Sequence, residues 1–241
     1  MAQPLRKFRA RGIENLSSRV YQEIKALILR NEIMPGQKLH HQELSERLGV
    51  SRTPVREALT RLVQEGYASL LPNRGFICKE IGMQEAEELY ELREALEGFA
   101  VEKAMEKLDT GGLDRLRKKM DVYGRDIQKR FTRERLIYDQ NIHLEIAEIA
   151  ANETLKKTLR QVFERIIFKR KTDALYDPTR GVIAHQEHMR LLEAMQRRNI
   201  QEAVTIVRKH IQQGKKNVLA DLRQRKEIRD FHVIESETYH K

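Results

Sequence analysis

The segment from Leu48 to Leu59 constrains this chain more than any other, because it predicts a tight turn that leads into a helix. Gly49 provides the backbone freedom that a turn between two helices needs. Ser51 or Thr53 can cap the first amides of the second helix. Pro54 falls in the first turn of that helix, where a missing N–H is tolerated. The segment therefore predicts two helices joined by a short turn.

The second of these helices is predicted to have one buried face and one exposed face. Its apolar residues recur at helical spacing: Val55, Leu59, Leu62 and Val63. Arg52 and Arg56 lie four positions apart on another face, with Thr53 beside them. Such side chains at the start of an exposed helix suit phosphate and guanine contacts. A plain three-helix packing unit with solvated arginines has the same pattern, so this segment alone leaves DNA binding open.

The flanking segments favour a winged helix-turn-helix. Residues 42–48 are predicted to form its first helix, and Val20, Ile24, Leu27 and Ile28 mark an earlier amphipathic helix that Met34-Pro35-Gly36 ends. Two strand-like runs, 67–71 and 76–79, are joined by Pro72-Asn73-Arg74-Gly75 and predict a hairpin. A helix, turn, helix and wing in this order strongly favour DNA binding.

Length and composition set the broad class. The 241 residues suffice for two domains, and the net charge of +10 favours a polyanionic partner. Cys78 is the single cysteine, which excludes an intramolecular disulfide. The sequence has neither an apolar run of membrane-spanning length nor a signal-peptide core, so we expect a cytoplasmic protein without a membrane partner.

The fold class predicted is mainly α: an N-terminal winged helix-turn-helix over 10–80, then an all-α bundle of six helices over 83–226. We expect a helix from 83 to about 108, ended by Thr110-Gly111-Gly112. Further helices are predicted over 113–130, 134–150, 153–175, 182–198 and 200–226. Asn199 and Glu202 form a capping pair for the last of them, and 227–241 is interpreted as a charged C-terminal tail.

Within the helical domain, Asp139 and His143 lie four residues apart and project from the same helical face. His188 and His210 lie on the fifth and sixth helices of the bundle. Three imidazoles and a carboxylate suit zinc, nickel or a similar divalent metal. Each residue also has an ordinary alternative, a surface hydrogen bond for the Asp-His pair and a satisfied core histidine for the others. Spacing alone therefore leaves the metal site open.

Residues 16–80 resemble the DNA-binding domain of the GntR family. The resemblance rests on Pro35-Gly36, on the Ser51 to Leu59 run and on Arg74-Gly75-Phe76. It implies that recognition-helix residues contact the major groove and that the wing tip approaches the minor groove. The residues this nominates for DNA contact are Ser51, Arg52, Thr53, Arg56, Arg74 and Gly75.

Residues 83–215 resemble the effector domain of the FadR-type branch of that family, an all-helical bundle. In its metal-containing members an Asp-x-x-x-His pair joins two later histidines, which nominates Asp139, His143, His188 and His210 as ligands of a divalent metal, with zinc or nickel favoured. His185 departs from the pattern and is considered a second-choice ligand or a neighbour of the ligands. Six helices favour the VanR-like subgroup.

The resemblance also implies an effector. Members of the branch sense small carboxylates or sugar acids, and Arg93 occupies the position of a basic residue that helps to hold the anion. The alternative for Arg93 is an intrahelical ion pair with Glu97. We expect a homodimer on a short palindromic operator, acting as a repressor whose DNA affinity the effector controls. A regulator that senses the metal itself ranks second, and a metalloenzyme ranks third.

Overall fold

A computed structural model of the protein describes residues 16–30, 32–72, 75–127, 133–169 and 178–238. The chain divides into two compact units: of the described residues, 16–80 and 167–169 belong to the first, and 81–166 and 178–238 belong to the second. Of the predicted segments, residues 10–15, 128–130, 170–175 and 239–241, together with Asn73 and Arg74 of the wing, lie outside the described residues.

The first unit contains three helices and a small sheet among its described residues. Its elements are α1 (Leu16–Leu29), β1 (Lys38–Leu39), α2 (His41–Leu48), α3 (Arg52–Gln64), β2 (Ala68–Leu71) and β3 (Gly75–Cys78). The strands are antiparallel in the order β1-β3-β2, with Leu70 opposite Phe76 and Lys38 opposite Ile77. The hairpin of β2 and β3 is the predicted wing, and β1 was not predicted because two residues carry no strand periodicity.

The turn between α2 and α3 has the conformation that its glycine predicts. Gly49 has φ 67°, in the left-handed region, and its N–H bonds back to the carbonyls of Ser45 and Glu46. Ser51 is the N-cap residue of α3, but its side chain makes no capping hydrogen bond. Thr53 lies inside the helix as its second residue. The predicted cap is therefore wrong, and the hydroxyl of Ser51 is not used to hold α3.

Packing of the first unit follows the predicted apolar faces. Its buried core includes Val20, Ile24, Leu27, Ile28, Leu44, Leu48, Val55, Leu59 and Leu62, together with Cys78 from β3. Val63 is only partly buried and packs at the edge of this cluster. Burying these side chains is the main stabilisation of such a small domain, because each contributes about 1.5–3 kcal/mol.

The second unit is all helical in its described residues. Its helices are α4 (Met83–Lys107), α5 (Thr110–Asp126), α6 (Arg133–Ile149), α7 (Glu153–Lys169), α8 (Pro178–Gln196) and α9 (Ile200–Thr238). One continuous apolar cluster draws on all six of them, including Val101, Met120, Ile142, Phe163, Leu192 and Val207. The predicted class, mainly α with a winged helix-turn-helix followed by six helices, is confirmed.

Several helix boundaries differ from the predictions: α5 ends at Asp126 instead of residue 130, and α8 begins at Pro178 instead of residue 182. Thr110-Gly111-Gly112 begins α5 instead of separating two helices, because the Asp109 carboxylate accepts a hydrogen bond from the Gly112 N–H at 2.7 Å and caps the helix. At the other end, α9 continues past residue 226 to Thr238, so most of the predicted tail is helical. Within the described part of the chain, we find no helix both long and apolar enough to span a bilayer.

The junction of α8 and α9 is held by two side chains. Asn199 accepts the Glu202 N–H at 3.1 Å and donates to its carboxylate at 2.9 Å, which is the predicted capping pair. Arg198, at φ 58°, donates to the carbonyls of Met105 and Leu108 at the end of α4. Those carbonyls have no partner within the helix, and a cation is favoured at this helix end.

We expect Arg198→Ala to destabilise the protein by roughly 1–2 kcal/mol, because it removes two charge-assisted hydrogen bonds to the end of α4. Arg197→Ala is the matched control, since Arg197 is an exposed neighbour that pairs with Glu202 at 3.0 Å. Its loss should change stability by less than about 1 kcal/mol. Urea unfolding followed by circular dichroism measures both variants. Equal effects would contradict a special role for Arg198.

Candidate functional site

Four predicted metal ligands from three helices converge inside the second unit. Asp139 and His143 lie on α6, His188 on α8 and His210 on α9. Each offers one ligand atom, and these four atoms all lie within 4.8 Å of one another. His143 and His188 are 1% exposed, so the cluster faces the interior of the bundle. The three imidazole rings have centroid separations of 4.6 to 5.4 Å.

The carboxylate of Asp139 faces all three histidines. Its Oδ1 lies 3.4 Å from Nε2 of His188 and 3.8 Å from Nε2 of His210, and its Oδ2 lies 3.8 Å from Nε2 of His143. Two atoms that each bind one cation at about 2.1 Å are roughly 3.0–3.4 Å apart when they are adjacent ligands. The Asp139–histidine separations of 3.4 to 3.8 Å are close to these values, and the remaining ligand atoms, all within 4.8 Å of one another, would move inward to surround one ion.

Two glutamates contact the far nitrogens of two of the histidines. Oε2 of Glu97, on α4, lies 2.5 Å from Nδ1 of His143. Oε2 of Glu187, on α8, lies 2.8 Å from Nδ1 of His210. A carboxylate at Nδ1 favours the tautomer that carries its proton there and leaves the Nε2 lone pair free for a metal. The sequence analysis missed both roles, because neither contact follows from spacing along one helix.

Arg93 lies beside this network on α4. Its Nε donates to Oε1 of Glu97 at 2.7 Å, so the intrahelical pair that the sequence offered as an alternative is present. The guanidinium also lies over the ring of Phe163, 4.4 Å from the centroid. Its Nη2 is buried and has no hydrogen-bond partner among the described residues. Arg93 therefore combines a fixed position with an unused donor.

Burial and neighbouring charges determine the pKa values of Glu97, His188 and His210. Burial by itself would raise the pKa of Glu97, but the adjacent Arg93 and His143 lower it to about 2, so Glu97 is a carboxylate. Burial and the neighbouring imidazoles hold the pKa of His188 well below its ordinary value, so His188 is neutral. Burial disfavours the charged form of His210, yet the hydrogen bond with Glu187 and the charge of Asp139 raise its pKa.

The buried nitrogens support a metal in this cluster. Both nitrogens of His188 have no hydrogen-bond partner within the described residues, although the side chain is buried. Unpaired polar atoms in a protein interior are unfavourable by about 1–3 kcal/mol each. A neutral imidazole ligating a cation removes one such penalty. Imidazole and carboxylate ligands suit zinc, nickel and related divalent ions, as the sequence analysis expected.

His185 lies near this cluster but is not one of its four ligands. It is one helical turn before His188 on α8, and its ring stacks with Tyr123 at a centroid distance of 6.2 Å. Tyr123 in turn presents its ring to His188 in an edge-on arrangement at 5.2 Å. Since His185 is not among the four converging ligands, it is better described as a neighbour of the ligands than as a fifth ligand.

The predicted DNA-contact residues lie at the exposed start of α3 and on the wing. Ser51, Arg52, Thr53 and Arg56 are exposed, while Pro54 and Val55 are buried. Gly75, the first residue of β3, has φ 73° and open space within 4 Å of where a side chain would begin. The left-handed backbone conformation at this position favours glycine whether or not the wing contacts DNA. Arg74 lies outside the described residues, and its contact with DNA stays a prediction.

Comparisons with known proteins agree with this architecture. Residues 16–77 match the family described as bacterial regulatory proteins, gntR family, and residues 88–213 match the FCD domain. The first match covers the winged helix-turn-helix, and the second covers the helical unit that contains the metal-ligand cluster.

Individual relatives extend over most of the chain. The Nta operon transcriptional regulator of Aminobacter aminovorans is 33% identical over 192 residues, which are 78% of this chain and 88% of that protein. The uncharacterized HTH-type transcriptional regulator YdhC of Bacillus subtilis is 27% identical and covers 79% of this chain and 85% of its own length. The solved structure of E. coli McbR/YncC has a TM-score of 0.69 and 25% identity, and covers 89% of this chain and all of its own.

These relatives are named as transcriptional regulators, so the third-ranked alternative, a metalloenzyme, is not supported. The match to the FCD domain covers more than half of the chain, and the match to the gntR family covers its DNA-binding unit. The protein is a DNA-binding transcriptional regulator of the GntR family with an FCD effector domain.

Proposed function

We propose that the protein is a metal-dependent sensor of a small carboxylate or sugar acid, and that the acid controls its affinity for a palindromic operator. The observation that supports this most directly is the convergence of Asp139, His143, His188 and His210 with Arg93 close to them. The cation and the guanidinium are two positive groups in one buried site. Together they suit an anion that completes the metal shell and accepts a hydrogen bond from Arg93.

The response to the acid follows from linkage. An acid that binds the effector domain more tightly in one arrangement of the dimer shifts the population toward that arrangement. Operator affinity then changes by the same free energy, and we expect it to fall, as in a repressor that is released by its effector. A homodimer with two-fold symmetry matches a palindrome, whose half-sites are then contacted by Ser51, Arg52, Thr53, Arg56, Arg74 and Gly75 of each subunit. A cytoplasmic location is expected for this role.

The first experiment measures thermal melting of the purified full-length protein, metal-stripped and zinc- or nickel-loaded, against a panel of small carboxylic and sugar acids. An acid at about one hundred times its dissociation constant should stabilise the protein by roughly 2.7 kcal/mol, which raises the melting temperature by a few degrees. The rise should require the metal. Fluorescence anisotropy with operator DNA then shows whether the same acid changes DNA affinity, and unchanged affinity at saturating acid would contradict the proposal.

The second candidate is a regulator for which the metal itself is the signal. One observation favours this second candidate: four protein side chains can bind the metal without any acid to complete its ligand shell. In that case metal alone would change operator affinity, and no acid in the panel would add to the metal-dependent melting shift.

A further inference from the structure

Carboxylates lie against two of the metal-ligand histidines, and among the described residues only one of these carboxylates, Glu97, also pairs with a charged side chain, Arg93. Glu187 contacts Nδ1 of His210 through Oε2. Glu97 contacts Nδ1 of His143 through Oε2 and accepts the Nε–H of Arg93 through Oε1. Glu97 is 2% exposed, so both contacts are made in a buried environment where electrostatic interactions are strong.

We propose that Glu97 is a positioning residue that fixes the metal-binding tautomer of His143 and couples it to Arg93, so that an anion held by Arg93 changes the affinity of the metal site. This inference rests on the proposed function and adds a physical connection between the metal site and the anion site. The cation and the anion then bind cooperatively through a residue that touches neither of them.

The tautomer argument gives the direction of the effect. The Glu97 carboxylate lies 2.5 Å from Nδ1 of His143 without the alignment of a hydrogen bond, and its charge favours the ring proton at Nδ1. The unprotonated Nε2, 3.8 Å from the Asp139 carboxylate, is then free to bind a metal. An amide at the same place can instead donate its N–H to Nδ1. The ring proton then resides on Nε2, where it blocks metal binding. Glu97→Gln preserves size and an acceptor for Arg93, and changes mainly this proton preference.

Arg93 acts on the same carboxylate from the other side. Its Nε lies 2.7 Å from Oε1 of Glu97, and its Nη2 is buried without a partner among the described side chains. An anion bound at Nη2 partly neutralises the guanidinium, which otherwise attracts electron density of the Glu97 carboxylate away from His143. The carboxylate then interacts more strongly with Nδ1–H of His143, which makes that imidazole a better electron donor to a metal.

A double-mutant cycle on the full-length protein tests this coupling with the metal alone as probe. Cobalt(II) affinity is measured by competition with a chromophoric chelator for the wild type, Glu97→Gln, Arg93→Gln and the double variant. We expect Glu97→Gln to weaken cobalt binding by roughly 10- to 100-fold. We expect Arg93→Gln to tighten it by roughly 3- to 10-fold, because the charge that otherwise polarises Glu97 is removed, and the double variant to match Glu97→Gln.

Glu187→Gln provides the matched control. It should weaken cobalt binding by a similar factor through His210, but its effect and that of Arg93→Gln should multiply, because Glu187 is the partner of His210 and not of Arg93. Glu97→Asp, which keeps the carboxylate, should recover part of the lost affinity. Circular dichroism establishes that each variant is folded, and Arg93→Met, which also removes the charge, replaces Arg93→Gln in the cycle if the latter is not.

The outcomes separate the two proposals. Wild-type affinity in Glu97→Gln, or effects of Arg93 and Glu97 that multiply, would overturn the role of Glu97 while leaving a metal-dependent effector site intact. Failure of the wild-type protein to bind cobalt, zinc or nickel would instead overturn the proposed function, and this inference with it.

Discussion

Replacing His188 with alanine is expected to reduce the affinity for zinc or nickel by more than about 100-fold, since loss of residues that only support ligands already weakens metal sites by roughly 10- to 100-fold. His188 is 1% exposed and lies 3.4 Å from Asp139 through Nε2. Its pKa is held well below its ordinary value by burial and by the neighbouring imidazoles, so it is a neutral ligand that need not release a proton when it binds a metal. Competition with a chromophoric chelator measures the loss.

His185→Ala is the matched control for His188→Ala, because the two histidines lie one turn apart on α8 and both contact the Tyr123 ring. Only His188 belongs to the four-residue cluster. Both substitutions remove imidazole packing, so the change in melting temperature that metal causes is more informative than the melting temperature itself. We expect that change to disappear in His188→Ala and to persist in His185→Ala. Equal loss in both would mean that His185 is a ligand.

The parts of the fold that the sequence predicted are those governed by local chemistry. Pro54 early in a helix, Gly49 in a turn and apolar residues at helical spacing predict α2 and α3. The wing follows from two strand-like runs joined by a turn that contains Gly75. The start of α5 was mispredicted because two glycines suggest a break, whereas the Asp109 side chain caps the helix and offsets their low helix propensity. The two-residue β1 forms only because β3 is available to pair with it.

The residues of the candidate metal centre differ in how much of their position the sequence could predict. Asp139 and His143 are joined by helical spacing, so local geometry places both on one face of α6. His188 and His210 lie on other helices, so the sequence made them candidates by residue type and the family resemblance strengthened the nomination, but spacing alone could not place them near α6. Glu97 appeared in the sequence solely as a partner of Arg93. Its second contact, with His143, depends on how α4 packs against α6, and helix spacing carries no information about that.

The other large effect is expected at the start of α3. Arg52→Ala and Arg56→Ala should each weaken binding to a specific operator by roughly 1–3 kcal/mol, which is about 5- to 150-fold, if each side chain reads a base edge. Both arginines are exposed and lie one helical turn apart. Fluorescence anisotropy measures the loss on a DNA duplex that the wild-type protein selects from a random-sequence pool. Nonspecific duplex should lose much less affinity.

Arg61→Ala controls for the loss of one positive charge from the same helix. Arg61 pairs with Glu65 at 3.0 Å and lies over the Tyr21 ring, so its charge is already engaged within the protein. Lysine variants separate two modes of contact at Arg52 and Arg56. A phosphate contact survives replacement by lysine, whereas a guanidinium bound to guanine through two hydrogen bonds loses its geometry. Wild-type specificity in both lysine variants would assign these arginines to the DNA backbone, and base reading would then have to come from Ser51, Thr53 or the wing.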